Sequence, residues 1–227
     1  MRAEKEMEKL YIKPDAHLVD DKISEEQLTI DKVWKIIFNQ ESVPILAAKV
    51  GFRNLFSSSA LNDDVVLKFV MWLSKDNESV SLNDIKLLLI QLGRKKDYIH
   101  PNDKGAYTTC GYNYYRALGC VARVIYDVSL DPGFHNKLSV VTTHMEPCEY
   151  IFRKTNNPNY LFVFEYRNKD NKIVKYGIKI SSDGEYLVVD NNHKYKDFSS
   201  LRDYLVKLPM CESGMSPFKI KTQQKVL

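Results

Sequence analysis

Hydrophobic positions along this chain of 227 residues recur at two different periods, and the change between them falls near Pro132. Before that point the spacing is helical. Residues 24–40 open with Ser24-x-x-Gln27, a capping-box spacing, and then place Leu28, Val33, Ile36 and Ile37 along one stripe, as a half-buried helix requires. Residues 62–75 carry Val65, Val66, Phe69, Val70 and Leu73 at the same period. A third segment starts at Ser81, runs through Ile85, Leu88, Leu89 and Leu92, and meets a helix stop at Gly93. These stripes predict a helical region over residues 1–130. The stretch 94–104, with Pro101-Asn102-Asp103, reads as a turn-rich connection. The Tyr-rich segment 107–126 has no decisive period, and a helix leading into the next domain is one reading of it.

After Asp131-Pro132-Gly133 the period shortens to that of strands. Tyr150-Ile151-Phe152 and the runs 160–166, 173–180 and 186–189 are aromatic and β-branched, and hairpin-type turns separate them: Asn156-Asn157-Pro158-Asn159, Asn168-Lys169-Asp170-Asn171 and Ser181-Ser182-Asp183-Gly184. They predict an antiparallel meander of about four strands. A helix fits 198–208, with Asp197 as N-cap and Leu201, Tyr204, Leu205 and Leu208 on a stripe ended by Pro209. The expected fold class is α+β, an antiparallel sheet flanked by helices over 131–220 and preceded by the helical region.

Composition narrows the setting. An apolar share of 44% can fill a core. No run of about 18 apolar residues occurs, and Met1-Arg2-Ala3-Glu4-Lys5-Glu6 is charged where a secretory signal needs an apolar stretch, so membrane insertion is not expected and a cytoplasmic location is. Cys110, Cys120, Cys148 and Cys211 are widely spaced with no Cys-x-x-Cys pair, which predicts reduced thiols and no metal or cofactor. The net charge of +4 is unevenly spread: the excess of Lys and Arg lies after Pro132, making that part the anion-facing candidate.

Arg153 stands out there. Strand alternation puts it on one face with Ile151, while Tyr150 and Phe152 take the other, so a charge placed in this apolar run needs a partner or costs several kcal/mol of desolvation. Its guanidinium is a planar fork suited to two parallel hydrogen bonds with phosphate oxygens, and it stays charged when partly buried. Tyr150-Ile151-Phe152-Arg153-Lys154-Thr155 is similar to the Phe-Leu-Val-Arg-x-Ser signature of the SH2 family. Ile173-Val174-Lys175-Tyr176-Gly177-Ile178 looks like that family's Val-Lys-His-Tyr-x-Ile, Asp183-Gly184-Glu185-Tyr186-Leu187 like its Gly-x-Tyr turn and strand, and Phe198-Ser199-Ser200-Leu201 with Tyr204-Leu205 like its Phe-x-Ser-Leu-x-x-Leu helix. In that order, across roughly 147–209, the chain resembles an SH2 domain.

The resemblance implies a phosphotyrosine-binding domain over 131–220, with tyrosine-phosphorylated proteins or peptides as partners and no catalysis. It implies that Arg153 grips the phosphate, that Thr155 donates a hydroxyl, that Asn156 and Asn157 close their loop around the anion, and that Lys175 and Lys179 flank ring and phosphate. The chain departs from the family in a shorter loop after Arg153, in Lys175 where His is usual, and in lacking a Trp-Tyr-x-Gly opening. The family's first-helix Arg has no clear counterpart, His135 and Lys137 being the candidates, and 191–196 and 210–218 fall where the peptide-selecting loops lie.

Other readings stand beside this one. Arg153 paired to an acidic neighbour within a sheet is the plain structural alternative, as is a solvated strand face for Lys175 and Lys179. An enzyme built on 1–130, delivered by the sheet to phosphorylated substrates, would draw on Cys110, Cys120, Cys148, His100 or His144. Nucleic acid is not the expected partner, although a basic sheet is the platform it would use. A composition rich in Lys and Asn and poor in Gly, with the missing opening, suggests similarity to the SH2-like effectors that intracellular bacteria deliver into host cytosol.

Overall fold

The computed structural model describes residues 2–12, 34–35, 37–55, 61–75, 78–91, 107–136, 145–147, 149–181, 186–189, 193–213 and 219–220. In chain order the elements are α1 (Arg2–Tyr11), β1 (Ser42–Pro44), α2 (Ile45–Leu55), α3 (Asp63–Leu73), β2 (Ser79–Ser81), α4 (Leu82–Gln91) and α5 (Tyr107–Ser129). There follow β3 (Phe134–His135), β4 (Glu149–Lys154), β5 (Phe162–Arg167), β6 (Ile173–Ile180), β7 (Leu187–Val188), β8 (Lys194–Tyr195), α6 (Phe198–Ser213) and β9 (Lys219–Ile220). Helices and a mixed sheet make this an α+β protein, as the two periods predicted.

Local chemistry sets the helix starts. The Asn62 side chain accepts the Val65 N–H at 2.9 Å, and Asp63 and Asp64 place negative charge at the positive end of α3. Asp84 accepts from both the backbone N–H (2.9 Å) and the hydroxyl (2.6 Å) of Ser81, fixing the entry to α4. Asp197 accepts the Ser200 N–H at 2.7 Å and caps α6 as expected. That helix runs through Pro209 to Ser213 rather than stopping at it. Proline's fixed φ is itself helical, but inside a helix it removes one hydrogen bond and crowds the carbonyl four residues back, at a cost of about 3 kcal/mol. The Tyr-rich segment resolves into α5, whose Leu118, Val121, Ala122, Ile125 and Val128 are buried. Most of the helix expected over 24–40 lies outside the described residues.

Strands β1 and β2 and helix α2 had no legible signal. The three-residue strands β1 and β2 pair antiparallel, with Val43 opposite Val80. Helix α2 contains Gly51, where an added Cβ would collide with the ring of Phe38 and the side chain of Ile37. Glycine's usual cost of about 1 kcal/mol in a helix is accepted for that close approach.

The main sheet is ordered β3-β4-β5-β6-β7-β8, with β9 also on β4. Strands β4, β5 and β6 form the antiparallel meander, while β3 and β9 run parallel to β4 along successive parts of one edge. Tyr150, Phe152, Phe162, Phe164 and Tyr166 fill one face, and Phe198 of α6 sits 5.1 Å from Phe152, ring centre to ring centre. Trp72 of α3 stacks on Phe134 at 5.7 Å and meets Phe162 edge-on at 6.4 Å. One hydrophobic cluster therefore runs from the N-terminal helices into the sheet without interruption. No helix among the described residues is long and apolar enough to cross a membrane.

Candidate functional site

The other face of the meander carries the charges. Register sets Glu165 of β5 directly opposite Lys175 of β6 and opposite Ile151 of β4, so that Arg153 lies diagonally across from it. Cross-strand and diagonal neighbours are within reach of long side chains. Oε1 of Glu165 accepts from Nε of Arg153 at 3.0 Å and from Nη2 at 2.5 Å, and it pairs with Nζ of Lys175 at 3.2 Å. The glutamate side chain is 1% exposed, that of Arg153 16% and that of Lys175 55%. A carboxylate so buried must be paired, and here two cations from the flanking strands converge on one of its oxygens.

This arrangement corrects one expectation. The resemblance implies that Arg153 grips a phosphate; in the structure its Nε and Nη2 bind Glu165 and its Nη1 donates to the Lys154 carbonyl at 3.1 Å. The need for a partner was legible, but the partner lies within the sheet.

The remaining predicted residues spread away from this centre. Gly177 lies across from Val163 and packs under Tyr160, whose ring occupies the space that a Cβ would fill. Lys179, exposed two residues on, holds its Nζ 5.5 Å from the centre of that same ring, a cation–π distance. Thr155 is buried at the end of β4, and its Oγ1 accepts the Asn157 N–H at 3.1 Å in a side-chain turn. Asn156 and Asn157 are exposed, and Asn157 in turn accepts the Asn159 N–H at 2.9 Å. Behind this loop, Nε2 of the buried Gln91 donates to the carbonyls of Thr155 and Asn157, each at 3.3 Å. His135 of β3 is in register with Arg153, while Lys137 lies outside the described residues.

No protein-family model matches this chain, and no curated protein does.

Two buried groups escaped sequence reasoning. Lys154 alternates onto the aromatic face, where its Nζ donates to the carbonyls of Trp72, Ser74 (2.8 Å) and Leu73 (3.4 Å) at the C-terminal end of α3. It thereby satisfies carbonyls that a helix end leaves open, at the end where positive charge is favoured. Burial lowers its pKa to about 8, with Asp84 opposing the shift and Lys75 adding to it. A 30 Å³ cavity beside it is lined by Trp72, Asp84, Gln91 and Thr155 among others. A lysine in step with Tyr150 and Phe152 was the available signal. The second group joins Asp131, Tyr150 and Arg202. Nε of Arg202 donates to Asp131 at 2.5 Å, Nη2 donates to the Tyr150 hydroxyl at 3.1 Å, and burial followed by the Asp131 charge raises the tyrosine's pKa.

Of the candidates for thiol chemistry, the described residues show the side chain of Cys120. Cys120 is a half-buried thiol in α5, whereas the side chain of Cys110 and residues His100, His144 and Cys148 lie outside what is described. Among the described residues no group of His, Cys, Asp or Glu is placed to hold a metal ion.

Proposed function

We propose that this protein binds tyrosine-phosphorylated peptides or proteins on the charged face of β4, β5 and β6, as an SH2-like adaptor or decoy without catalysis of its own. The observation that carries the reading is the convergence of Arg153 and Lys175 on a single carboxylate oxygen. A face that holds one anion between two cations has the donors that a phosphate uses. Lys179 and the Tyr160 ring extend the same face beyond Gly177, offering a further cation and an aromatic surface beside a bound phenyl ring.

Lys175 is the variant of choice because it is exposed. Lys175→Ala is expected to weaken phosphotyrosine-peptide binding about five- to tenfold while leaving the unfolding free energy within about 1 kcal/mol of wild type. Lys86→Ala, on α4, should leave both binding and stability unchanged. Equal loss in both variants would show that general charge, not this face, attracts the peptide.

A second reading is favoured by the deep burial of Glu165: Arg153 and Lys175 form two ion pairs with it that serve the sheet alone. It predicts that Lys175→Ala leaves phosphopeptide binding unchanged.

A further inference from the structure

We infer that Glu165 acts as a charge filter in this site, holding Arg153 until a dianionic phosphate takes its place and turning away anions of lower charge. The inference rests on the phosphotyrosine reading above. The Oε1 atom of Glu165 already occupies the point where Nε and Nη2 of Arg153 and Nζ of Lys175 meet. An incoming anion must therefore draw these donors from the carboxylate and then remain beside it.

A singly charged group, such as a sulfate ester or a peptide carboxylate, offers the two cations no more charge than Glu165 does, and meets its repulsion besides. A phosphate monoester near neutral pH carries close to two charges and three acceptor oxygens, so it alone gains enough from Arg153 and Lys175 to displace the internal partner. The exposures fit an ordered exchange. Lys175, 55% exposed, meets the ligand first, and Arg153, 16% exposed, turns from Glu165 afterwards. Arg153 and Glu165 thus set both affinity and the preference for phosphate over sulfate.

The test compares the wild-type full chain with Glu165→Gln, in which an amide oxygen still accepts from Arg153 but the charge is gone. One peptide is offered in phosphotyrosine, sulfotyrosine and unmodified forms. Glu165→Gln is expected to bind the phosphotyrosine form about tenfold tighter or more, and to narrow the ratio of phosphotyrosine to sulfotyrosine affinity. An unchanged affinity or an unchanged ratio, with phosphate-dependent binding still present in both proteins, overturns the filter and leaves the phosphotyrosine reading standing. If neither folded protein separates the phosphorylated from the unmodified peptide, that reading fails and the filter with it. Should the glutamine variant not fold, the Nε–Hε resonance of Arg153 in wild type decides: movement on saturation with the phosphotyrosine peptide supports the exchange, and a fixed resonance at saturation overturns it.

Discussion

Arg153 is the residue on which sequence and structure meet most sharply. Its position in an apolar strand announced a buried cation in need of a partner, and that requirement follows from desolvation alone. The partner's identity did not follow. Glu165 becomes a neighbour through the pairing of β4 with β5, and that register depends on contacts that one sequence does not reveal. Removing Arg153 leaves Glu165 buried against Lys175 only, so Arg153→Ala is expected to cost about 3–5 kcal/mol, read as a lower urea midpoint. Lys154 makes a pH-dependent contribution of opposite kind. Burial lowers its pKa from 10.5 to about 8, so below about pH 8 both folded and unfolded chains carry the proton and the cost of burying the charge is borne in full. Between about 8 and 10.5 the folded chain has released a proton that the unfolded chain keeps, and stability rises with pH. Melting temperatures of wild type and Lys154→Met across that window check this: the difference between them should shift in favour of wild type as pH rises, and a flat difference would refute it.

At the scale of elements, what was legible had a period or a cap. Helices α3 and α4, strands β4 to β6 and the start of α6 all carried several residues of pattern or a polar cap at a defined offset. Strands β3, β8 and β9 are two residues each, too short for any alternation, and their pairing is decided by what lies beside them. The predicted phosphate loop shows how one element serves another: Gln91 at the end of α4 ties down Thr155 and Asn157, and Lys154 next to them is anchored on the end of α3. Gln91→Met keeps the volume and removes the donor. Amide hydrogen exchange at Asn156, Asn157 and Asn159 should then rise about five- to tenfold while α4 stays protected, the scale of losing about 1–1.5 kcal/mol of hydrogen bonding. Unchanged exchange there would mean that the loop holds its shape without the helix.

Across the whole molecule, the change of period near Pro132 marks a change of secondary structure, yet the packing continues over it. Trp72 stacks on Phe134 and meets Phe162, and buried side chains of α3 and α5 belong to the same cluster as those of β4 and β5. Periodicity reports which face of an element is buried, not what covers it, so this continuity was beyond the sequence. Trp72→Ala is expected to cost about 3–5 kcal/mol, and circular dichroism of the helices and near-ultraviolet signals of the sheet aromatics should lose structure in one transition.

The most direct measurement of the central claim is the affinity of the full chain for one tyrosine peptide in phosphorylated and unphosphorylated forms, at fixed salt and neutral pH. A face that seats an anion between Arg153 and Lys175 should bind the phosphorylated form at least about tenfold tighter. Equal affinity for the two forms would contradict it.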